Sequence, residues 1–232
     1  KRLKFDRAFP VCEQTHKTVG LLMLAFSITV PEMAPALVEV PTPKPQADEI
    51  LVKIFACGLN FADLLMIKGS YQETPKLPFT LGLEAAGTVV SCGANVSGFD
   101  VGSRIAVFGG QGGLAEYGCF SAARAVLLPD GMDFFDAAAL QVAYGTSHLA
   151  LDYKARLQPD ETLLVLGAAG GVGLTAVEIG KHMGARVIAC ARGADKLAIA
   201  AKAGADRAVK KSNAETLRMV ENEVIVVSCQ ID

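Results

Sequence analysis

The chain contains no CxxC pair. Its cysteines, Cys12, Cys57, Cys92, Cys119, Cys190 and Cys229, are scattered. That spacing suits neither a zinc ribbon nor a dense disulfide framework. Reduced thiols in an intracellular compartment are the simpler reading. The chain also has little net charge, −2 at pH 7. This gives no reason to expect nucleic acid or an anionic membrane as the main partner. No apolar run reaches the ~20 residues that a membrane span needs. The longest, residues 19–30, lies downstream of Lys1, Arg2, Lys4 and Arg7. A signal-like segment or an organelle presequence would share that pattern. Asp6 and Glu13 interrupt the basic stretch, and no clear small-residue cleavage site follows. A buried strand in a divergent N-terminal segment, residues 1–30, is therefore the favoured reading. A cytoplasmic location is expected, with a mitochondrial one as the alternative. Repeats and low-complexity tracts are absent as well. With 232 residues, the chain has room for one large or two ordinary domains.

What is present is a glycine turn: Gly167-Ala168-Ala169-Gly170-Gly171-Val172-Gly173. It follows the apolar run Thr162-Leu163-Leu164-Val165-Leu166. It leads into residues 174–183, which read as a helix, and then into a second strand, Ala185-Arg186-Val187-Ile188-Ala189-Cys190. The spacing matches the usual dinucleotide fingerprint only in part. The flanking elements decide the reading, because strand, turn, helix and strand make a βαβ unit of the expected ~30 residues. Glycine lets the backbone turn tightly and lets phosphate oxygens approach the helix N-terminus. A ligand-free glycine turn is the alternative. A second absence sharpens the cofactor. NAD-specific proteins place an acid at the end of the second strand, ~20 residues beyond the glycines. Here no acid ends that strand; Arg192 does, with Lys196 one helical turn on. Cations favour the 2′-phosphate of NADP, and a guanidinium grips it bidentately. An ordinary solvated surface is the alternative for both. Asp195 reads as the N-cap of the following helix.

The rest of the chain falls into two parts. Residues 30–128 read as β-rich, with strands near 50–56, 85–90 and 104–108 punctuated by Pro and Gly. Residues 60–68 read as one short helix, with Asn60 as N-cap and Asp63 at the third position. Gly109-Gly110-Gln111-Gly112-Gly113 follows a strand but precedes no helical pattern, so it reads as a mobile turn and not a second phosphate loop. From Asp133 the pattern becomes helical, at 133–140 and again at 146–155. Strands and helices then alternate, through 195–203 and 207–209, to a helix capped by Ser212 and Glu215. The expectation is an α/β protein: a β-rich domain at 31–135 and a doubly wound parallel sheet at 136–232.

Several stretches together resemble the medium-chain dehydrogenase/reductase superfamily, and within it the zinc-free quinone oxidoreductase (zeta-crystallin-like) group. They are Cys57-Gly58-Leu59-Asn60-Phe61-Ala62-Asp63, Gly69-Ser70-Tyr71, residues 77–87, Ala143-Tyr144-Gly145-Thr146 and the glycine turn. The resemblance covers about residues 33–210. It implies a GroES-like domain followed by a Rossmann domain. It implies NADPH as cofactor, held by Gly167, Gly170, Gly171, Val172, Gly173, Arg192 and Lys196, with Thr146 near the nicotinamide end. Asn60 and Tyr71 match positions that face the nicotinamide or the substrate carbonyl. Both donate hydrogen bonds to an oxygen as negative charge develops there. The plainer readings are a helix cap for Asn60, an amphipathic rim residue for Tyr71, and a further N-cap for Thr146. Asp63 and Glu84 read as structural.

No metal is expected. Zinc-dependent relatives carry His where this chain has Leu83, and they carry a four-Cys lobe that is missing here. His16, His148 and His182 show no ligand spacing, and Cys57 reads as a small packed residue. The implied activity is NADPH-dependent reduction of quinones or α,β-unsaturated carbonyls by hydride transfer without zinc. A trans-enoyl-thioester reductase and a non-catalytic nucleotide-binding or interaction protein are the alternatives. A homodimer is the family expectation, with no nucleic-acid partner. Both ends depart from the family pattern. No match to its first strand is seen before about residue 30, and after Val209 only residues 223–230 imitate a further strand. The expectation is an atypical or truncated chain with a partial Rossmann domain.

Overall fold

The computed structural model describes residues 22–30, 34–210 and 224–228. Strands come first: β1 (Leu22–Ile28), β2 (Ala36–Pro41), β3 (Glu49–Gly58), β4 (Phe79–Thr80), β5 (Glu84–Cys92), β6 (Arg104–Phe108), β7 (Tyr117–Ser121) and β8 (Ala125–Leu127). One α-helix, α1 (Phe61–Ile67), and a 3-10 turn at Ala122–Arg124 interrupt them. The strands form two antiparallel sheets, ordered β2-β1-β4 and β7-β3-β5-β6-β8. Alternate residues of a strand face opposite sides. In the larger sheet this sends Ile50, Val52, Ala85, Val89, Ile105, Val107 and Phe120 into one buried cluster. The hydrophobic run at 19–30 contributes β1, which pairs with β2 from Leu22↔Pro41 to Ser27↔Ala36. A strand thus precedes residue 30 and belongs to the β-rich half.

A helical path joins the halves. α2 (Phe134–Ala138) begins at Asp133, whose carboxylate accepts from the backbone N–H of Phe135 and Asp136. Wide π turns follow at Leu140–Tyr144 and Leu149–Lys154, on either side of α3 (Gly145–His148). The sequence expectation is two separate helices, with Thr146 as a cap. Instead Gly145 is itself helical, at φ −59° and ψ −43°, so the path runs on and Thr146 lies inside it.

The second half is a parallel sheet. β9 (Thr162–Leu166) leads through α4 (Gly171–His182) to β10 (Arg186–Ala191), then through α5 (Ala194–Lys202) to β11 (Arg207–Lys210). β12 (Val224–Ser228) pairs with the other edge of β9, from Val224↔Thr162 to Ser228↔Leu166. The order is β11-β10-β9-β12. The apolar β9 run is explained by burial on both faces. Leu163 and Val165 join Leu151, Val177 and Val187 in one core cluster, and Leu164 joins Ile188, Cys190 and Val209 in another. The doubly wound arrangement is therefore present, and the strand that residues 223–230 imitate in sequence is its fourth. The strand order reverses between β9 and β12, and ligands of such sheets bind in the crevice at that switch point. α5 starts differently from expectation. Its N-cap is Gly193, with φ +93°, and Asp195 sits in the first turn. The helix assigned to Ser212 and Glu215 lies outside the described residues. Among the described residues, no helix is long and apolar enough to cross a membrane.

Candidate functional site

The glycine turn sits where β9 ends at the switch point. Gly167, at φ +77°, sends its own N–H and that of Ala168 to the carbonyl of Cys190, at 3.0 and 3.1 Å. Gly170 then serves as N-cap of α4. The Leu174 N–H donates to the Gly170 carbonyl at 2.8 Å. The N–H groups of Gly171, Val172 and Gly173 precede that bond and have no partner within the helix. They add to the positive end of the helix dipole, which favours an anion. The glycines are not equivalent. A Cβ on Gly173 would stand 2.3 Å from the Gly167 carbonyl oxygen, so that glycine lets helix and turn close together. A Cβ on Gly171 would meet nothing within 4 Å, which leaves the approach to the helix N-terminus open.

β10 lies beside β9, with Cys190 opposite Leu166. This register puts Arg192, just past the end of β10, next to the glycine turn. Lys196 follows in the first turns of α5, and both side chains are exposed. Among the described residues neither forms an ion pair. The structure thus gathers Gly167, Gly170, Gly171, Val172, Gly173, Arg192 and Lys196 at one end of the sheet. Thr146 is exposed on the linking helix, one residue from a buried clip to α4. The Ser147 hydroxyl donates to the Val172 carbonyl at 2.8 Å and lies 2.7 Å from the Thr175 hydroxyl, which itself reaches the Ala143 carbonyl at 3.0 Å. The Tyr144 hydroxyl donates to Glu178 on α4. That bond, with burial and the nearby carboxylate charge, raises the pKa of the phenol.

Asn60 is the N-cap of α1 by backbone conformation, but its side chain looks elsewhere. Its Nδ2 donates to Glu84 Oε1 at 2.8 Å. The Asp63 carboxylate accepts from the Asn60 backbone N–H at 2.8 Å and the Gly82 backbone N–H at 3.0 Å, tying α1 to the loop before β5. Glu84 is only 3% exposed, and its Oε2 accepts from the Val142 backbone N–H at 2.8 Å. Burial raises its pKa and the nearby Asp63 charge adds to this, while the bonds from Asn60, Val142 and Gln141 oppose it. The sequence marks Glu84 as structural without naming a partner. Gly58 supplies the room, since a Cβ there would stand 2.4 Å from Glu84 Oε1 and 2.5 Å from the Ala138 carbonyl.

Tyr71 lines a cleft of about 270 Å³ with Met66, Leu83, Phe108 and Arg124 on its walls. Asn60 is not on that wall. The two are related through consecutive residues, with Leu83 facing the cleft and Glu84 holding Asn60. The turn at 109–113 does not behave as a free loop. The N–H groups of Gly109 and Gly110 both donate to the Leu83 carbonyl, and those of Gly112 and Gly113 donate to Thr80 and Gly82. With those donors engaged, it offers no phosphate cradle.

Residues 46–130 match a family model described as the alcohol dehydrogenase GroES-like domain, and residues 171–227 match one described as zinc-binding dehydrogenase. The chain is 39% identical over 180 residues to quinone oxidoreductase-like protein 2 of Bos taurus, covering 77% of this chain and 52% of that protein. It belongs to the medium-chain dehydrogenase/reductase superfamily, in its quinone oxidoreductase-like group. Solved structures agree. The Pseudomonas syringae quinone oxidoreductase superposes with a TM-score of 0.76 at 31% identity, over 86% of this chain and 61% of that one. The Thermus thermophilus quinone oxidoreductase, also described in complex with NADPH, does so at 0.73 and 35%, over 85% and 61%. The chain spans about half the length of the curated relatives it matches.

One of the matching models is named for zinc, so the donor set can be tested against that metal. Leu83 has no ligating atom and packs with Met66, Phe79 and Leu81. The Cys57 thiol is pushed up to about 12 by burial and by the Asp63 and Glu84 charges. Among the described residues, no group of three or more His, Cys, Asp or Glu side chains is placed to hold a metal. These residues do not fit zinc. The three N–H groups at the α4 N-terminus that have no partner within the helix, the open face at Gly171 and the two cations beyond β10 do fit an NADP pyrophosphate and 2′-phosphate.

Proposed function

We propose that this protein reduces quinones or α,β-unsaturated carbonyls by hydride transfer from NADPH, without zinc. The observation that carries the reading is the glycine turn at the switch point with Arg192, and no acid, at the end of the neighbouring strand. The relatives' names supply the substrate class, and the complex of the Thermus enzyme with NADPH supports the cofactor. Bound NADPH supplies the hydride. Gly171, Val172 and Gly173 hold the pyrophosphate through backbone N–H groups, and Arg192 and Lys196 hold the 2′-phosphate. Thr146 borders the nicotinamide end. An asparagine amide has two N–H bonds. One of those on Asn60 is committed to Glu84; the other makes only a long 3.5 Å bond to the Gly58 carbonyl, which a substrate oxygen would displace. The Tyr71 hydroxyl is a second donor from the cleft wall. Conjugated substrates accept hydride without a metal because the added electrons delocalise onto that oxygen, and solvent supplies the proton. Donors aimed at such an oxygen are worth ~10²–10³-fold each.

The same reading divides the chain near residue 135 into a substrate-side unit and a cofactor-side unit, and it expects a homodimer, which sedimentation measures. The test of activity is NADPH consumption with a simple quinone, an enone and a trans-enoyl thioester, each with and without a zinc chelator. Saturable consumption with quinone or enone, unaffected by the chelator, supports the proposal. Far more efficient thioester reduction overturns it in favour of the thioester enzyme. NADPH binding without turnover overturns it in favour of a non-catalytic nucleotide-binding protein.

A further inference from the structure

Glu84 has no part in the reaction proposed above, yet it is the most deeply placed charged side chain beside Asn60. A buried carboxylate is costly unless its oxygens are hydrogen-bonded. Glu84 divides its oxygens between two places far apart in the chain. Oε1 takes the Asn60 side-chain amide at the start of α1, and Oε2 takes the Val142 backbone N–H in the linking helix. The connection continues from there. The Ala143 carbonyl next to Val142 accepts from Thr175 on α4. A few residues on, Ser147 donates to the carbonyl of Val172, in the first turn of α4. Hydrogen bonds and the backbone of residues 142–147 between them therefore connect the Asn60 amide to the helix end where the pyrophosphate is proposed to bind. Gly58 keeps the route clear, because any side chain there would collide with Glu84 Oε1 and the Ala138 carbonyl.

We infer that Glu84 is a positioning residue: it fixes the Asn60 amide in register with the N-terminus of α4. The inference rests on the proposed function, since it gives the Asn60 amide its task. The carboxylate suits this role by its polarity. Both of its partners are donors, so the residue between them must accept at both ends. Glutamine, with the same shape, accepts at one end only and sets an N–H against an N–H at the other. Aspartate is one methylene too short to span both partners.

The test compares Glu84→Gln, Asn60→Asp and the double variant, for thermal unfolding, NADPH dissociation constant and quinone turnover. In the double variant the polarity is exchanged: the Gln amide donates to the Asp carboxylate and still accepts from Val142. The expected result for Glu84→Gln is a kcat at least tenfold lower, with the NADPH dissociation constant within threefold of the parent. For the double variant, unfolding should return toward the parent, while kcat stays low because Asp offers no amide donor. A Glu84→Gln protein with parental kcat overturns the inference. So does one whose kcat and NADPH affinity fall together, and so does strict additivity of the two substitutions in unfolding. Should the parent neither bind NADPH nor reduce quinone, the proposed function fails on its own. The unfolding cycle then decides this inference separately: coupling supports it and additivity overturns it.

Discussion

Adding a methyl group to either of two glycines in the same turn should have opposite consequences. A Cβ on Gly173 would lie 2.3 Å from the Gly167 carbonyl oxygen and 2.8 Å from Ala168 Cα. Both are backbone atoms, so relief requires the turn to open or α4 to lift from β9. Overpacking of this kind costs ~1–3 kcal/mol. Replacing a helical glycine by alanine returns at most about 1 kcal/mol, so Gly173→Ala should show a net loss centred near ~1 kcal/mol and reaching ~2 kcal/mol. A Cβ on Gly171 meets nothing within 4 Å, so Gly171→Ala should fold with the parental stability or slightly more. Its methyl group, however, fills the space through which a pyrophosphate reaches the helix N-terminus. Urea unfolding, with and without NADPH, reads both effects. At a hundredfold excess over the dissociation constant, a ligand adds about 2.7 kcal/mol. The parent should show that increment. Gly173→Ala should start from a lower baseline. Gly171→Ala should keep the baseline and lose most of the increment. Parental stability of Gly173→Ala, or a full NADPH increment in Gly171→Ala, refutes the account of the turn.

Other expectations follow from single groups. Cys57 and Cys119, both pushed up to about 12 by burial and nearby carboxylates, should be about one part in ten thousand thiolate at pH 8; mass spectrometry should find them unalkylated by iodoacetamide in the native protein and modified in urea. Asp206 accepts from Lys181 and from the Val187 N–H, and its pKa lies below the ordinary 3.8. A depressed folded-state pKa stabilises above the unfolded value and ceases to do so as pH falls through the folded one. Asp206→Asn should therefore cost ~0.2–1 kcal/mol at neutral pH, the range of an exposed pair, and the deficit should vanish in acid below that pKa. Tyr71→Phe should lower quinone turnover ~10²–10³-fold with NADPH affinity unchanged; equal turnover removes the hydroxyl from the proposed mechanism.

The β9–α4–β10 unit is legible in the sequence because a glycine cluster stands between an apolar run and a helical pattern, a combination few other arrangements share. The core strands of the β-rich half are legible for a similar reason, with alternating apolar residues bounded by Pro and Gly. What escapes depends on context. The helical pattern reads as two stretches, 133–140 and 146–155, yet Gly145 between them is helical in place, which hides the continuous path from α2 onward. Asp195 has the chemistry of a cap, but the positive φ of the preceding Gly193 moves the start of α5. The turn at 109–113 looks free because the carbonyls that pin it come from residues 80–83. Valines in one short run cannot announce which strand they will join, so β12 needs its pairing with β9 to be recognised. Asn60 stands out as a site residue, but its bond to Glu84 crosses 24 positions of sequence. The alternative role for Asn60, helix cap, holds for its backbone while its amide serves Glu84.

The proposed function depends on this sheet end binding NADPH and reading its 2′-phosphate through Arg192. Fluorescence titration of the 232-residue chain with NADPH and NADH, repeated for Arg192→Glu, tests it most directly. Saturable binding is expected, with NADPH at least tenfold tighter than NADH, and loss of that preference in the variant. Equal affinity for the two cofactors, or binding of neither, contradicts it.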